Sequence, residues 1–227
     1  GDAIAISKSL PDSGEPYMTR LKLWEPDPNR RKQSAMQHFL DWMAARYPEQ
    51  ALVDYAALQA FSCRSIDEFW SSFLAYSQII YEGDLSPVRA GRTMSESHFF
   101  PALRLSFVEN LLRRNDDALA LVGLSESRPR QTLSYAVLRQ QVASVAREMQ
   151  ACGVLPGDRV AAVLPNIPEA VIAMLATASL GAVWSSCSPD FGVQGIVDRF
   201  GQIQPKLLFA TTQYHYGGKL FDCETKV

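Results

Sequence analysis

The sequence predicts an α/β protein, with a helical N-terminal part followed by a parallel sheet built from βαβ units. Three observations carry this. Apolar residues recur every three to four positions between Lys32 and Leu74, the spacing of buried helix faces. After Asn115, compact apolar runs alternate with amphipathic stretches. Short Gly-, Pro- and Asp-containing links separate them.

Residues 1 to about 20 are polar, with Pro11, Gly14 and Pro16, and read as a loose arm. Lys32 to Tyr47 reads as one helix, stopped by Pro48. Val53 to Phe61 reads as a second. Ser65 and Glu68 have capping-box spacing, and open a third helix carrying Ile66, Phe69, Trp70, Phe73 and Leu74. Phe99 to Pro101 begins a connecting stretch, and Phe107 to Arg114 reads as a further helix. Ala118–Gly123 and Gln131–Leu133 read as a hairpin around Pro129. Ser134 then caps a helix with apolar positions Leu138, Val142, Val145 and Met149. Gly153 ends it, and Leu155-Pro-Gly-Asp158 is a turn. Arg159 to Leu164 has the unbroken apolar character of a buried parallel strand. Asn166-Ile-Pro-Glu169 starts a helix capped by Asn166, which runs to Leu180 and is closed by Gly181. Ala182–Ser186 is the next strand. The loop Cys187–Phe191, a helix marked by Val193, Ile196, Val197, Phe200 and Ile203, and a strand Leu207–Ala210 complete the pattern.

Composition narrows the function. The 227 residues amount to about one and a half domains at ~150 residues each. A hydrophobic share of 47% suffices for a packed core. A net charge of −2 argues against a general nucleic-acid binder. The longest apolar stretch, Ala170–Trp184, is interrupted by Thr177, Ser179 and Gly181 and is short of the ~20 residues that span a bilayer. No signal peptide is visible. Cys63, Cys152, Cys187 and Cys223 are far apart, as are His38, His98 and His215. That spacing suits reduced cysteines of a cytoplasmic protein rather than a zinc site or disulfide framework.

Complete catalytic motifs are missing: there is no G-x-G-x-x-G, no P-loop and no G-x-S-x-G. Arg30-Arg-Lys32 and Arg113-Arg114 read as surface charge, and Trp24, Trp42, Trp70 and Trp184 as packing anchors. The best candidate site is the loop Ser186-Cys-Ser-Pro-Asp-Phe-Gly192, which joins the C-terminal end of a parallel strand to a helix N-terminus. The alternative is a plain loop capped by Ser188 or Asp190. A second candidate is Tyr216-Gly-Gly-Lys219, either a surface turn or a phosphate contact through the lysine.

Several segments, taken in order, resemble the adenylate-forming enzymes, the superfamily of acyl-CoA synthetases, peptide-synthetase adenylation domains and luciferases. They are Gln131-Thr-Leu-Ser-Tyr-Ala-Val-Leu-Arg139, Gly153-Val-Leu-Pro-Gly-Asp-Arg-Val-Ala161, Pro165-Asn-Ile-Pro-Glu-Ala170 and Gly181-Ala-Val-Trp184. The stretch around Ser65-Ile-Asp-Glu-Phe-Trp70 is similar to the N-terminal extension of the acetyl-CoA synthetase branch. The run Val183–Gly192, with Asp198-Arg-Phe200 and Gln204-Pro-Lys206, is most similar to the acetoacetate-activating branch.

Beyond the arm over 1–20, the resemblance implies a helical extension over 21–115 and the first part of a large adenylation domain over 116–227. It implies AMP-forming ligation of acetoacetate to coenzyme A. The carboxylate attacks ATP with Mg²⁺, pyrophosphate leaves, and the coenzyme A thiolate then displaces AMP. The implied partners are these small molecules and the rest of the same chain, with no nucleic acid and no membrane span. It places Pro189, Asp190, Phe191 and Lys219 near the coenzyme A nucleotide. The acetyl-type enzymes have glycines where Pro189-Asp190 stand and an arginine where Tyr216 stands. Asp190 would repel a phosphate unless its carboxylate caps the following helix. The family's phosphate loop, ribose-holding aspartate and C-terminal-domain lysine have no counterpart here. The expectation is therefore an N-terminal fragment, inactive alone, with no catalytic and no metal-ligating residue of its own. The alternatives are a stand-alone binding module or a synthetase acting on acetate or propionate.

Overall fold

The computed structural model describes residues 23–224, so the arm expected over 1–20 lies outside the described residues. The chain forms two compact units, divided between Ser72 and Phe73.

The first unit is helical: α1 (Pro28–Lys32), α2 (Ala35–Arg46), α3 (Tyr55–Arg64) and the start of α4 (Ile66–Tyr76). The single helix expected over Lys32–Tyr47 is broken before Ala35. Ser34 is extended there, and its hydroxyl accepts the Gln37 N–H at 3.1 Å, which starts α2 anew. Asp54 does the same for α3, accepting from the Ala57 N–H at 2.8 Å. Ser65 joins two helices: its N–H bonds to the Phe61 carbonyl and its own carbonyl accepts from Phe69 N–H. Phe39, Leu40, Met43, Leu58 and Phe61 are buried, and the Tyr47 ring lies 5.0 Å from that of Phe61.

The second unit begins with four two-residue strands, β1 (Glu82–Gly83), β2 (Arg89–Ala90), β3 (His98–Phe99) and β4 (Leu103–Arg104). They pair as β1–β4 and β2–β3 inside the stretch expected to be a helical extension, so that expectation is corrected between Tyr76 and Phe107, where the described chain forms short ladders and loops instead. After α5 (Phe107–Leu111), the hairpin of β5 (Leu119–Gly123) and β6 (Gln131–Ser134) forms as its sequence indicates. The Ser134 hydroxyl accepts from Val137 N–H at 3.3 Å and starts α6 (Tyr135–Ala151).

The core of this unit is β7 (Arg159–Val163), followed by α7 (Pro168–Ser179), β8 (Val183–Cys187), α8 (Val193–Gly201) and β9 (Leu207–Ala210). The three strands are parallel in the order β8-β7-β9. Val160 to Val163 are all fully buried, because β7 is covered on both faces. Val160 packs with Leu138, Val142 and Met149 of α6 and with Ile172, Leu175 and Ala176 of α7. Ala161 and Val163, on the other face, pack with Ile196 and Phe200 of α8.

One expected cap is corrected. Ile167, not Asn166, is the residue before α7, and no side chain caps it. Pro168 occupies the first helical turn and drives its predecessor into an extended conformation, φ −124° and ψ 158°. Pro168 also lies so close to β5 that a Cβ on Gly123 would come within 2.6 Å of its ring Cγ. Gly123→Ala should therefore cost about 1–3 kcal/mol of stability, an overpacking strain against a stiff ring, readable by chemical denaturation.

Candidate functional site

β7 runs into α7 and β8 into α8, and these helices cover opposite faces of the sheet. Two adjacent parallel strands whose chains part this way leave a crevice at their C-terminal ends. A cavity of about 510 Å³ lies there. Pro165 to Ile167 after β7, Ser188 to Asp190 after β8, and Thr211 after β9 form its floor. The β5–β6 turn from Leu124 to Arg128 lines one side. The other wall is a strand absent from the sequence reading, β10 (Gln213–Tyr216), paired antiparallel with β11 (Lys219–Asp222).

Three loops meet through carboxylates. Asp190 accepts the Ser188 hydroxyl at 2.8 Å and, on its other oxygen, the Tyr214 hydroxyl from β10. The Tyr214 ring stacks on Phe221 of β11 at 5.1 Å. Glu126, from the β5–β6 turn, accepts the Gly217 N–H at 3.0 Å and the Gly218 N–H at 2.8 Å, one on each oxygen. These amides hold the Glu126 carboxyl below its ordinary range, because they bond to the charged form. The Tyr214 phenol is pushed up to about 12, first by the hydrogen bond to Asp190, then by burial and the carboxylate charge. Burial raises the Cys187 thiol.

The four residues expected near a nucleotide are not all gathered here. Pro189 is fully buried and lines the cavity with Asp190. Asp190 does not cap α8: Gly192 is the cap residue, without a side-chain bond, and the Asp190 carboxylate is turned to Ser188 and Tyr214 instead. The idea that the Asp190 carboxylate caps this helix is thereby corrected, whereas the loop itself is closed by Ser188, whose hydroxyl accepts the Asp190 N–H at 3.4 Å. Phe191 is outside the cavity lining, with the Arg199 guanidinium 5.1 Å above its ring. Lys219 opens β11, exposed, opposite Tyr216 in the ladder, and is also outside the lining. Sequence reasoning missed Tyr214 and Glu126. A two-glycine turn between Tyr- and Phe-bearing segments is a hairpin signal that would have placed Tyr214 on a strand. No local signal points from Glu126 to amides more than ninety residues away.

A family profile described as AMP-binding enzyme matches residues 108–225. The chain belongs to the AMP-binding enzyme family. Among curated AMP-binding relatives it is 42% identical over 205 residues to an acetoacetyl-coenzyme A synthetase of Rhizobium meliloti, covering 90% of this chain and 31% of the relative. It is 42% identical over 209 residues to an acetoacetyl-CoA synthetase of Mus musculus, with the same shares covered. The solved structure of an acetoacetyl-CoA synthetase from Streptomyces lividans matches with a TM-score of 0.83 and 40% identity, over 89% of this chain and 32% of that one. The chain spans about a third of the length of the curated relatives it matches. The α/β architecture is thus that of the matching third of the Streptomyces lividans structure.

The Tyr214–Asp190 bond can be read directly. In a spectrophotometric titration one of the eight tyrosines should ionise late, near pH 12. In Asp190→Asn it should return toward the ordinary phenol value of ~10, since the carboxylate is what favours the neutral phenol.

Proposed function

We propose that the full-length protein is an AMP-forming acetoacetate–CoA ligase, and that this chain supplies the coenzyme A side of its site. The observation that carries the reading is the 40–42% identity to acetoacetyl-CoA synthetases along about nine-tenths of the chain. The cavity at the strand ends is where α/β sheets bind ligands. In this reading residues 21–115 are the N-terminal extension, helical up to Tyr76 and carrying short strand pairs over 82–104, and 116–227 are the opening part of the adenylation domain. The reaction runs in the cytoplasm, in keeping with four free cysteines. Among the described residues no helix is long and apolar enough to cross a membrane.

ATP, acetoacetate and coenzyme A are the substrates, and Mg²⁺ accompanies ATP. Among the described residues no group of three His, Cys, Asp or Glu side chains is placed to hold a metal ion. What this chain's residues do is bind and orient. Lys219 offers a charge to a coenzyme A phosphate. The N-terminus of α8, uncapped by any side chain, directs amides and a partial positive charge outward from the loop. Buried Pro189 gives that loop a fixed backing. The Asp190 carboxylate, held by two hydroxyl donors, keeps a fixed place in the cavity wall beside Pro189.

Two measurements test the reading. Full-length protein should catalyse acetoacetate-dependent ATP–pyrophosphate exchange and little with acetate or propionate; exchange with acetate alone would reject the substrate, and no exchange with any acid would favour a binding module. Lys219→Ala should raise KM for coenzyme A about three- to tenfold, the worth of one exposed charge–phosphate contact.

A further inference from the structure

We propose that Glu126 is a positioning residue for coenzyme A: its carboxylate fixes the Gly217–Gly218 turn and, through it, Lys219. The inference rests on the functional reading above, in which Lys219 meets a phosphate of the coenzyme.

Gly217 and Gly218 both have positive φ, +59° and +73°, the pattern of a two-residue hairpin turn that glycine adopts without strain. Such a turn forms unaided, but two adjacent glycines leave its tip the most adaptable part of the hairpin. The base is held separately. Tyr214 bonds to Asp190, the Cys223 N–H bonds to the Thr212 carbonyl at 2.7 Å, and the Cys223 side chain is fully buried. At the tip, β11 is exposed along its whole length. There both Glu126 oxygens are engaged, one by each turn amide. A carboxylate bound through both oxygens is fixed in orientation as well as position. Lys219 is the next residue after the turn, so the direction of its backbone is set where Glu126 holds. Glu126 itself stands on the turn after Gly123, where β5 meets the first turn of α7. The lysine is thereby referenced to the β5–β6 hairpin, whose turn lines one side of the cavity.

The test uses the full-length protein, assayed for thioester formation at varied coenzyme A. Glu126→Ala should raise KM for coenzyme A about three- to fivefold, the scale of an exposed charge-assisted contact, with kcat at saturation within about twofold. Glu126→Gln, which keeps one acceptor, should fall between the two. Combining Glu126→Ala with Lys219→Ala should raise KM no further than Lys219→Ala alone, because both act through one contact. The Gly217 and Gly218 amides should exchange with deuterium faster in Glu126→Ala. An unchanged KM, additive effects, or a parallel fall in kcat and thermal stability would overturn the proposal. A wild-type protein that turned over no coenzyme A would overturn the functional reading and this inference together, whereas an unchanged KM beside normal wild-type turnover would overturn this inference alone.

Discussion

Burial of β7 on both faces is the constraint on which the rest of the second unit depends. Val160, Ala161, Ala162 and Val163 have no exposed surface. A strand of this kind needs helices on both sides and a neighbour along each edge. Here α6 and α7 cover one face, α8 covers the other, and β8 and β9 flank it. Once these partners are in place, the loops leaving β7 and β8 diverge, and the cavity at the strand ends follows from topology.

The opposite end of the sheet is held by a different set of bonds. The Arg159 guanidinium donates to the Ile203 carbonyl at 2.8 Å, and Lys206 pairs with Asp158 at 2.9 Å. These contacts tie the connection before β9 to the start of β7. At the N-terminal ends cations fasten the chain. At the cavity end two carboxylates, Asp190 and Glu126, accept hydrogen bonds from a hydroxyl on β10 and from turn amides. Both carboxylates thereby fix loops that line the cavity.

Much of the fold was legible because its signals are local. The apolar run of β7, the helix faces carrying Leu138, Val142 and Met149, and the β5–β6 hairpin all follow from spacing, and the helix start at Ser134 follows from a hydroxyl bonding its own next turn. Ser34 nonetheless split a pattern that reads as one helix, since amphipathic period does not register a single extended residue. Asn166 looked like a cap, but a proline two positions later moved the helix start by one residue. The two-residue ladders between Glu82 and Arg104 are too short to leave a periodic trace.

The sequence by itself determined the architecture and, through ordered motifs, the resemblance to adenylate-forming enzymes. Both are written in residues near one another in the chain, where spacing dictates which side of a helix or strand a side chain takes. Tertiary structure alone decided which groups meet at the cavity. Tyr214 reaches Asp190 across twenty-four positions and Glu126 reaches Gly217 across ninety-one. No local pattern encodes such pairs. They exist because packing around β7 brings the β5–β6 turn, the β8–α8 loop and the β10–β11 hairpin together at the C-terminal ends of the strands, where hydrogen bonding then selects the partners.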